Sequence, residues 1–190
     1  MRLFVAAYLS QENMRAYQQL VDGLIREVPE VLRSVPACTH HLTLAFLGEV
    51  ADPDVDRYSD LLDTLKNVEA FDYTLAPPAI LMGRGRPRLV HTKVIENAEA
   101  ISQLQAKLVS GVARSDPSID SRPKPPHVTL ARFKKNAKRW QARQVRQMLE
   151  RTNDSDFPRM DRFFNIHLVR STLTPSGPSY ESLRVVRLCG

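Results

Sequence analysis

The sequence is poor in the features that mark secreted or membrane-embedded proteins. Its two cysteines, Cys38 and Cys189, have neither CxxC spacing nor the density of a disulfide scaffold, which favours a reducing compartment. No run approaches the roughly 18 apolar residues of a membrane span. The start, "MRLFVAAYLSQEN", also lacks a charged segment followed by a long apolar segment and a cleavage site. We therefore expect a soluble, cytoplasmic protein. We also predict that it is a monomer.

Metal-binding and nucleotide-binding signatures are missing as well. There is no HExxH motif and no paired Cys/His set, and the adjacent His40 and His41 would point to opposite faces of a strand. The segment "GRGRPR" lacks the Lys-Ser/Thr ending and the following helix of a phosphate-binding loop, so it predicts a basic, mobile loop. We expect neither a metal nor any other cofactor.

Positive charge is in excess. The formal net charge is +6, which favours an anionic partner such as nucleic acid or a phosphorylated small molecule. The cationic residues form three clusters: Arg84, Arg86 and Arg88; Arg122 and Lys124; and Arg132, Lys134, Lys135, Lys138 and Arg139. A solvated helix face explains the third cluster equally well.

The order strand, helix, strand, helix occurs twice. In the first half, "RLFVAAYL" predicts a strand, Met14 to Ile25 recur at helical spacing, and a strand with two histidines follows the breaker "VPACT". Asp52 or Asp54 can cap a helix that reaches Leu65, before the strands "FDYTLA" and "AILMG". The second half repeats the order as "PRLVHTKVI", "ENAEAISQLQAKLVSGV", "PHVTLARF" and "NAKRWQARQVRQMLER", and ends in the strands "FNIHLVRSTL" and "ESLRVVRLC".

The spacing of the two halves indicates a duplication. His41 comes 38 positions after Leu3, His127 comes 38 positions after Leu89, and the two histidines are 86 positions apart. Tetrapeptides as rare as HLTL and HVTL coincide by chance far less often than apolar residues do. We predict one α+β domain over 1–190 made of two intertwined, pseudo-symmetric lobes, with the first sequence repeat at about 1–86 and the second at about 87–190. Each lobe is an antiparallel sheet flanked by helices, with a cleft between the two.

Strand alternation sorts the residues of each motif onto two faces. In the first strand it predicts one face of His41, Thr43, Ala45 and Leu47 and a core face of His40, Leu42, Leu44 and Phe46. In the second strand, His127 and Thr129 share a face opposite Val128 and Leu130. Arg132 falls on the other face unless the strand ends before it.

Two imidazoles and two hydroxyls around one cleft suit the cleavage of a phosphodiester. One histidine can take a proton from the attacking oxygen while the other gives one to the leaving oxygen. Thr43 and Thr129 can donate hydrogen bonds to nonbridging oxygens, and Arg132 can add a charge-assisted contact to phosphate or nucleotide.

A lone histidine on an apolar strand is usually structural. That interpretation applies to His91 and His167, which we predict to be core or edge histidines. The doubled H-x-T pattern argues against it for His41 and His127, because two chance histidines would not each carry a threonine on the same face.

The segments "HLTLAFLGEV" and "PHVTLARF" resemble the two signature motifs of the 2H phosphoesterase superfamily. The segments "MRLFVAAYL", "RPRLVHTKV" and "LVRSTLTPSGPSYESL" are similar to its bacterial and archaeal RNA 2',3'-cyclic phosphodiesterases, also called 2'-5' RNA ligases or LigT-like proteins. The resemblance covers essentially the whole chain. It departs from the family pattern at His40, just before the first motif, and at His91, where an aromatic residue is common.

The resemblance implies a bilobal fold and metal-independent hydrolysis of an RNA terminal 2',3'-cyclic phosphate to a 2'-phosphate. His41 and His127 match the catalytic histidines, Thr43 and Thr129 match the phosphate-binding hydroxyls, and Arg132 matches the arginine that often follows the second motif. It further implies that His41 protonates the departing 3' oxygen and that His127 activates water, whereas the residues alone are too symmetric to assign these directions. Reversible 2'-5' RNA ligation, action on a small cyclic nucleotide, and a non-catalytic RNA- or nucleotide-binding module remain as alternatives.

Overall fold

The computed structural model describes residues 1–115, 125–152, 159–175 and 177–190. In these ranges the chain forms helices α1 to α4 at Gln11–Glu27, Val55–Asp63, Ala98–Ser115 and Arg139–Glu150. Strands β1 to β10 span Arg2–Tyr8, Leu32–Ser34, His41–Glu49, Phe71–Leu75, Ala79–Gly83, Arg86–Glu96, His127–Phe133, Met160–Phe163, Asn165–Thr174 and Gly177–Arg187. The predicted order of elements is confirmed, with β2 and β8 added, which are too short to show a period. No helix within the described ranges is long and apolar enough to cross a lipid bilayer.

The strands pair antiparallel in the order β10-β9-β1-β3-β7-β6-β4-β8, with β2 on β7 and β5 on β6. Strands β3 and β7 pair at Leu42 opposite Val128, and this contact joins the two halves of the sheet. The α+β prediction with antiparallel pairing is confirmed. Each half of the sheet combines strands from both sequence repeats, because β9 lies beside β1 and because β4 and β5 pair with β6. The strands that carry the H-x-T motifs are therefore neighbours in the middle of the sheet.

The helices bury apolar stripes against one face of this sheet. Helix α1 begins after Ser10, whose Oγ accepts a hydrogen bond from the Asn13 N–H at 3.2 Å, and it buries Tyr17, Val21 and Leu24. A second, smaller cluster has no helical member among the described residues: it consists of Phe4, Ala6 and Val169, flanked by Tyr8 and Tyr180. This second cluster belongs to the sheet face that the helices leave uncovered.

The segment predicted to be a mobile basic loop is a tight hairpin instead. Gly83 pairs with Arg86 at the end of β5 and β6, which leaves Arg84 and Gly85 as a two-residue turn with φ of 47° and 77°. Positive φ at both positions is typical of the type I' turn, whose twist matches that of the flanking strands. The predicted cluster of Arg122 and Lys124 lies outside the described residues.

Helix α2 begins directly after one of the two predicted capping residues, but no capping hydrogen bond is formed. Asp52–Asp54 form a short 3-10 turn, and Asp54 then occupies the N-cap of α2. Its side chain makes no capping hydrogen bond to the helix. Helix α2 ends at Asp63, two residues before the buried Leu65.

Candidate active site

The two H-x-T motifs open neighbouring strands. β3 begins at His41 and β7 begins at His127. The apolar residues of the motifs are at most 3% exposed: Leu42, Leu44, Val128 and Leu130. The histidines and threonines are half-buried on the opposite face, as alternation predicts: His41, Thr43, His127 and Thr129.

The register of β3 against β7 brings the two motifs together crosswise. Leu42 lies opposite Val128. Antiparallel geometry around this pair places His41 on the side of Thr129 and Thr43 on the side of His127. The two histidines are then diagonal neighbours, which in a regular ladder are about 7–8 Å apart. A group of phosphate size between them can be reached from both strands.

The two imidazoles are held in the same way by the backbone. The Nδ1 of His41 lies 2.6 Å from the carbonyl oxygen of Thr39, and the Nδ1 of His127 lies 2.9 Å from the carbonyl oxygen of Pro125. Because a carbonyl oxygen can only accept, Nδ1 donates in both rings. In each neutral ring Nε2 is therefore the unprotonated nitrogen, and it is the atom that can take or give a proton.

A β-bulge interrupts each motif strand at its fourth residue. In β3, Val5 pairs with Ala45 and Ala6 with Thr43, so that Leu44 is the extra residue. The Thr43 carbonyl beside this bulge accepts a hydrogen bond at 2.9 Å from Nε2 of Gln105 in α3, a supporting residue that sequence analysis missed. In β7, the corresponding extra residue is Leu130.

Because of the bulges, residues that follow them lie on a different face of the sheet from the one that simple alternation predicts. Phe46, predicted on the core face, is 44% exposed with its ring 6.4 Å from that of Phe4, whereas Ala45 and Leu47 are buried. Arg132 is exposed on the same side as His127 and Thr129, although simple alternation assigns it to the other face. The five-residue spacing of His127 and Arg132 thus places both side chains on one face of β7.

The register also corrects one predicted equivalence between the halves. Phe4 lies opposite Phe46, and Leu89 lies opposite Arg132. Phe46 and Arg132 are 86 positions apart, but Phe4 and Leu89 are 85 apart. By strand pairing, the counterpart of Leu89 is therefore Phe4 and not Leu3. The equal sequence spacing of Leu3 and Leu89 from their histidines misplaces the correspondence by one residue.

His41 is surrounded by aromatic rings. Its ring centroid lies 5.1 Å from that of Phe4, 5.8 Å from that of Tyr8 and 5.6 Å from that of Tyr180. Burial lowers the pKa of His41 to about 4, and the positive charge of Arg132 acts in the same direction. His41 is therefore neutral at neutral pH in the unliganded protein, and a bound anion would favour its protonated form.

His127 packs against a histidine that sequence analysis did not place in the site. The His91 ring on β6 stands edge-on to the His127 ring at 5.7 Å, and His91 pairs with Thr129 across the sheet. His91 is 3% exposed, and burial followed by the His127 charge lowers its pKa to about 4. It is buried, as predicted for a core histidine, but it also touches the site. No sequence pattern signals this contact, because it depends on the register of β6 against β7.

The remaining two histidines have structural partners. His40 is fully buried, and its Nε2 lies 3.0 Å from the carbonyl oxygen of Val35, so the prediction that it faces the core is confirmed. His167 packs edge-on to Tyr8 at 4.9 Å, and its Nδ1 lies 3.0 Å from Oγ of Ser182. In the described part of the chain, no three His, Cys, Asp or Glu side chains form a group able to hold a metal ion.

A family model described as the 2'-5' RNA ligase superfamily matches residues 14–171, a stretch that includes both H-x-T motifs. The chain belongs to this superfamily. An RNA 2',3'-cyclic phosphodiesterase of Thermus thermophilus is 34% identical over 199 residues, covering 100% of this chain and 91% of that protein. A protein of the same name from Methanothermobacter thermautotrophicus is 27% identical, with 98% of both chains covered.

Solved structures of the superfamily share the fold over its full length. A crystal structure of a Thermus thermophilus protein superposes with a TM-score of 0.77 at 29% identity, covering 100% of this chain and 99% of that chain. Apo LigT of E. coli gives a TM-score of 0.73 at 26% identity, covering 100% and 98%. LigT complexed with 3'-AMP gives 0.72 at 25% identity, covering 98% and 97%. The predicted resemblance to LigT-like 2H phosphoesterases is confirmed.

Proposed function

We propose that this protein is a hydrolase that opens the terminal 2',3'-cyclic phosphate of RNA to a 2'-phosphate by two-histidine acid-base catalysis without a metal ion. The observation that carries the proposal is the pair of H-x-T segments on neighbouring strands, with both imidazoles held through Nδ1. Superfamily relatives named RNA 2',3'-cyclic phosphodiesterase support the substrate class.

In the proposed reaction, a water oxygen attacks phosphorus in line with the 3' oxygen. Nε2 of His127 takes a proton from this water, and Nε2 of protonated His41 gives a proton to the 3' oxygen as its bond to phosphorus breaks. The products are a 2'-phosphate and a free 3'-hydroxyl. The proton gained by His127 and the proton lost by His41 are then exchanged with solvent.

The hydroxyls of Thr43 and Thr129 are proposed to donate hydrogen bonds to the two nonbridging phosphate oxygens. Negative charge on these oxygens grows in the transition state, so fixed donors stabilise it more than the ground state. Arg132 adds a positive charge on the same face of β7. Because burial lowers the pKa of His41 in the unliganded protein, the anionic substrate supplies the charge that favours its protonated form.

Hydrolysis of an oligonucleotide ending in a 2',3'-cyclic phosphate, in the presence of a chelator, tests this proposal. The expected result is full activity with the chelator present and a product with a 2'-phosphate and a 3'-hydroxyl. Activity that the chelator abolishes and added Zn²⁺ restores would assign the chemistry to a metal. Binding without turnover would leave a non-catalytic RNA-binding module, and a 3'-phosphate product would reverse the leaving group.

The description of the superfamily favours one second activity, 2'-5' RNA ligation, at the same site. It would use the 5'-hydroxyl of a second RNA in place of water, with the same proton transfers and the same broken bond. Supplying an RNA with a free 5'-hydroxyl together with the cyclic-ended RNA, and analysing the product linkage, measures this reaction. ADP-ribose 1'',2''-cyclic phosphate, supplied separately, measures action on a small cyclic nucleotide.

A further inference from the structure

Two arginines lie side by side on β2 and β7. Leu32, Arg33 and Ser34 of β2 pair with Phe133, Arg132 and Ala131 of β7, so Arg33 stands directly opposite Arg132. Both side chains are exposed. Within the part of the chain that the structure describes, neither arginine forms an ion pair or a side-chain hydrogen bond. Like charges directly opposite each other destabilise a strand pair, and an anion bound between them would remove this cost.

The segments on the β7 side of this pair carry little acidic charge. Residues 125–149 contain seven lysines and arginines and no aspartate or glutamate, and residues 73–95 contain four arginines and lysines and no acidic residue. On the β2 side, Glu30 is the acidic residue nearest to Arg33 in sequence. The hairpin turn of β5 and β6 is hydrogen-bonded to α4, since Nε of Arg139 donates to the carbonyl oxygen of Gly85 at 2.7 Å. Arg84 and Arg86 of the hairpin are thereby held next to the cationic start of α4.

The arginine pair lies beyond the position of the reacting phosphate. Arg132 is five residues after His127, and with one residue taken up by the bulge its Cα lies about 13 Å along the strand from the histidine. Two guanidinium groups in this place can bracket a phosphate with charge-assisted hydrogen bonds. A nucleoside cyclic phosphate has no second phosphate to place there, whereas an RNA strand does.

We propose that Arg33, together with Arg132, binds a backbone phosphate of the RNA strand that leads to the cyclic end. This inference rests on the proposed function and adds to it the residue whose contact makes an oligonucleotide a better substrate than a nucleoside cyclic phosphate. The cationic β5–β6 hairpin and α4 extend the surface along which the strand continues. Phosphate contacts of this kind are sequence-tolerant and salt-sensitive.

The test compares the Arg33→Gln variant with the wild type on two substrates: uridine 2',3'-cyclic phosphate and an oligouridylate ending in the same cyclic phosphate. We expect the wild type to prefer the oligonucleotide, and Arg33→Gln to lower the ratio of the two kcat/KM values about tenfold. In the variant, the slope of log kcat/KM for the oligonucleotide against log salt concentration becomes shallower by about 1, because one phosphate contact is lost. Arg187→Gln on β10, an exposed arginine on an edge strand, removes the same charge and leaves the ratio as in the wild type.

Two results would overturn the inference: a wild type without preference for the oligonucleotide, or an Arg33→Gln variant with the wild-type ratio. Failure of the proposed function looks different, because then the wild type would hydrolyse neither substrate. In that case fluorescence anisotropy with a 3'-phosphorylated oligouridylate still tests Arg33. Weaker binding by Arg33→Gln than by Arg187→Gln supports the site, and equal binding refutes it.

Discussion

His41 and His127 hold the same tautomer, each donating from Nδ1 to a carbonyl oxygen two residues earlier in the chain. The two histidines thus share a backbone contact as well as a residue type, and Nε2 is the reactive atom in both. Their surroundings differ, because among the described residues the rings of Phe4, Tyr8 and Tyr180 pack around His41 and the imidazole of His91 packs against His127. The two imidazoles thus have the same orientation but different surroundings. This arrangement suits a site in which one ring gives a proton while the other takes one.

Substituting either histidine by asparagine separates its chemical role from its structural one. The asparagine amide can still donate to the carbonyl of Thr39 or Pro125, but it has no titratable nitrogen in place of Nε2. We expect His41→Asn and His127→Asn each to lower kcat by about 10²–10⁴, with substrate binding retained. Single-turnover hydrolysis measures the loss, and anisotropy with a labelled oligonucleotide measures binding. Wild-type turnover in either variant would exclude that histidine from catalysis.

A substrate with sulfur as its 3' bridging atom distinguishes the acid from the base. A thiolate leaves without being protonated, since a thiol pKa is about 8.5 and that of an alcohol is far higher. We expect this substrate to restore His41→Asn by about 10² relative to the oxygen substrate and to leave His127→Asn inactive. The measurement is the ratio of single-turnover rates for the two substrates in each variant. Restoration of His127→Asn alone would exchange the two roles.

The pattern of the candidate site was predictable where it depends on local sequence. The tetrapeptides HLTL and HVTL and the alternation of a strand are enough to place His41 beside Thr43 and His127 beside Thr129. The same alternation correctly predicts that the side chain of His40 faces the core. Over the first four residues of each motif strand, therefore, sequence and structure agree on every face.

What could not be predicted depends on pairing between distant strands. The bulges at Leu44 and Leu130 exist only relative to β1 and β6, and they move Phe46 and Arg132 to the face of the site. The positions of His91 and Arg33 depend on their pairing partners on β7, which are 38 and 99 positions away along the chain. Local propensity contains no information on such register.

The two threonine hydroxyls can be tested by removing the oxygen alone. Thr43→Val and Thr129→Val keep the branched side chain and take away the donor, so we expect kcat to fall about 10²-fold in each, with little change in stability. The hydrogen bond from Nε2 of Gln105 to the Thr43 carbonyl oxygen does not involve the hydroxyl and is unaffected by the change. Thr43→Ser and Thr129→Ser restore the hydroxyl and serve as controls. A valine variant with the kcat of its serine counterpart would show that the hydroxyl does not act in the transition state.

The buried histidines predict a loss of stability in mild acid. Burial lowers the pKa of His91 to about 4, below the value of about 6.5 in an unfolded chain. Above about pH 6.5 both states are unprotonated and stability is complete, whereas between about 6.5 and 4 the unfolded chain binds more protons and stability falls as the pH falls. Burial lowers the pKa values of His40, His41 and His167 in the same direction.

Replacing His91 by phenylalanine isolates one of these contributions. The phenyl ring can keep the edge-on contact with His127 but has no proton to bind, and it leaves no buried Nδ1 without a partner. We expect the free energy of unfolding of His91→Phe to fall less than that of the wild type between neutral pH and about pH 5, by about 1–2 kcal/mol. Urea denaturation at the two pH values measures the difference. Ile95→Phe, at a 55% exposed position of the same strand, is the control and keeps the wild-type pH dependence. A His91→Phe variant that loses as much stability as the wild type would mean that His91 is protonated as readily in the folded protein as in the unfolded chain.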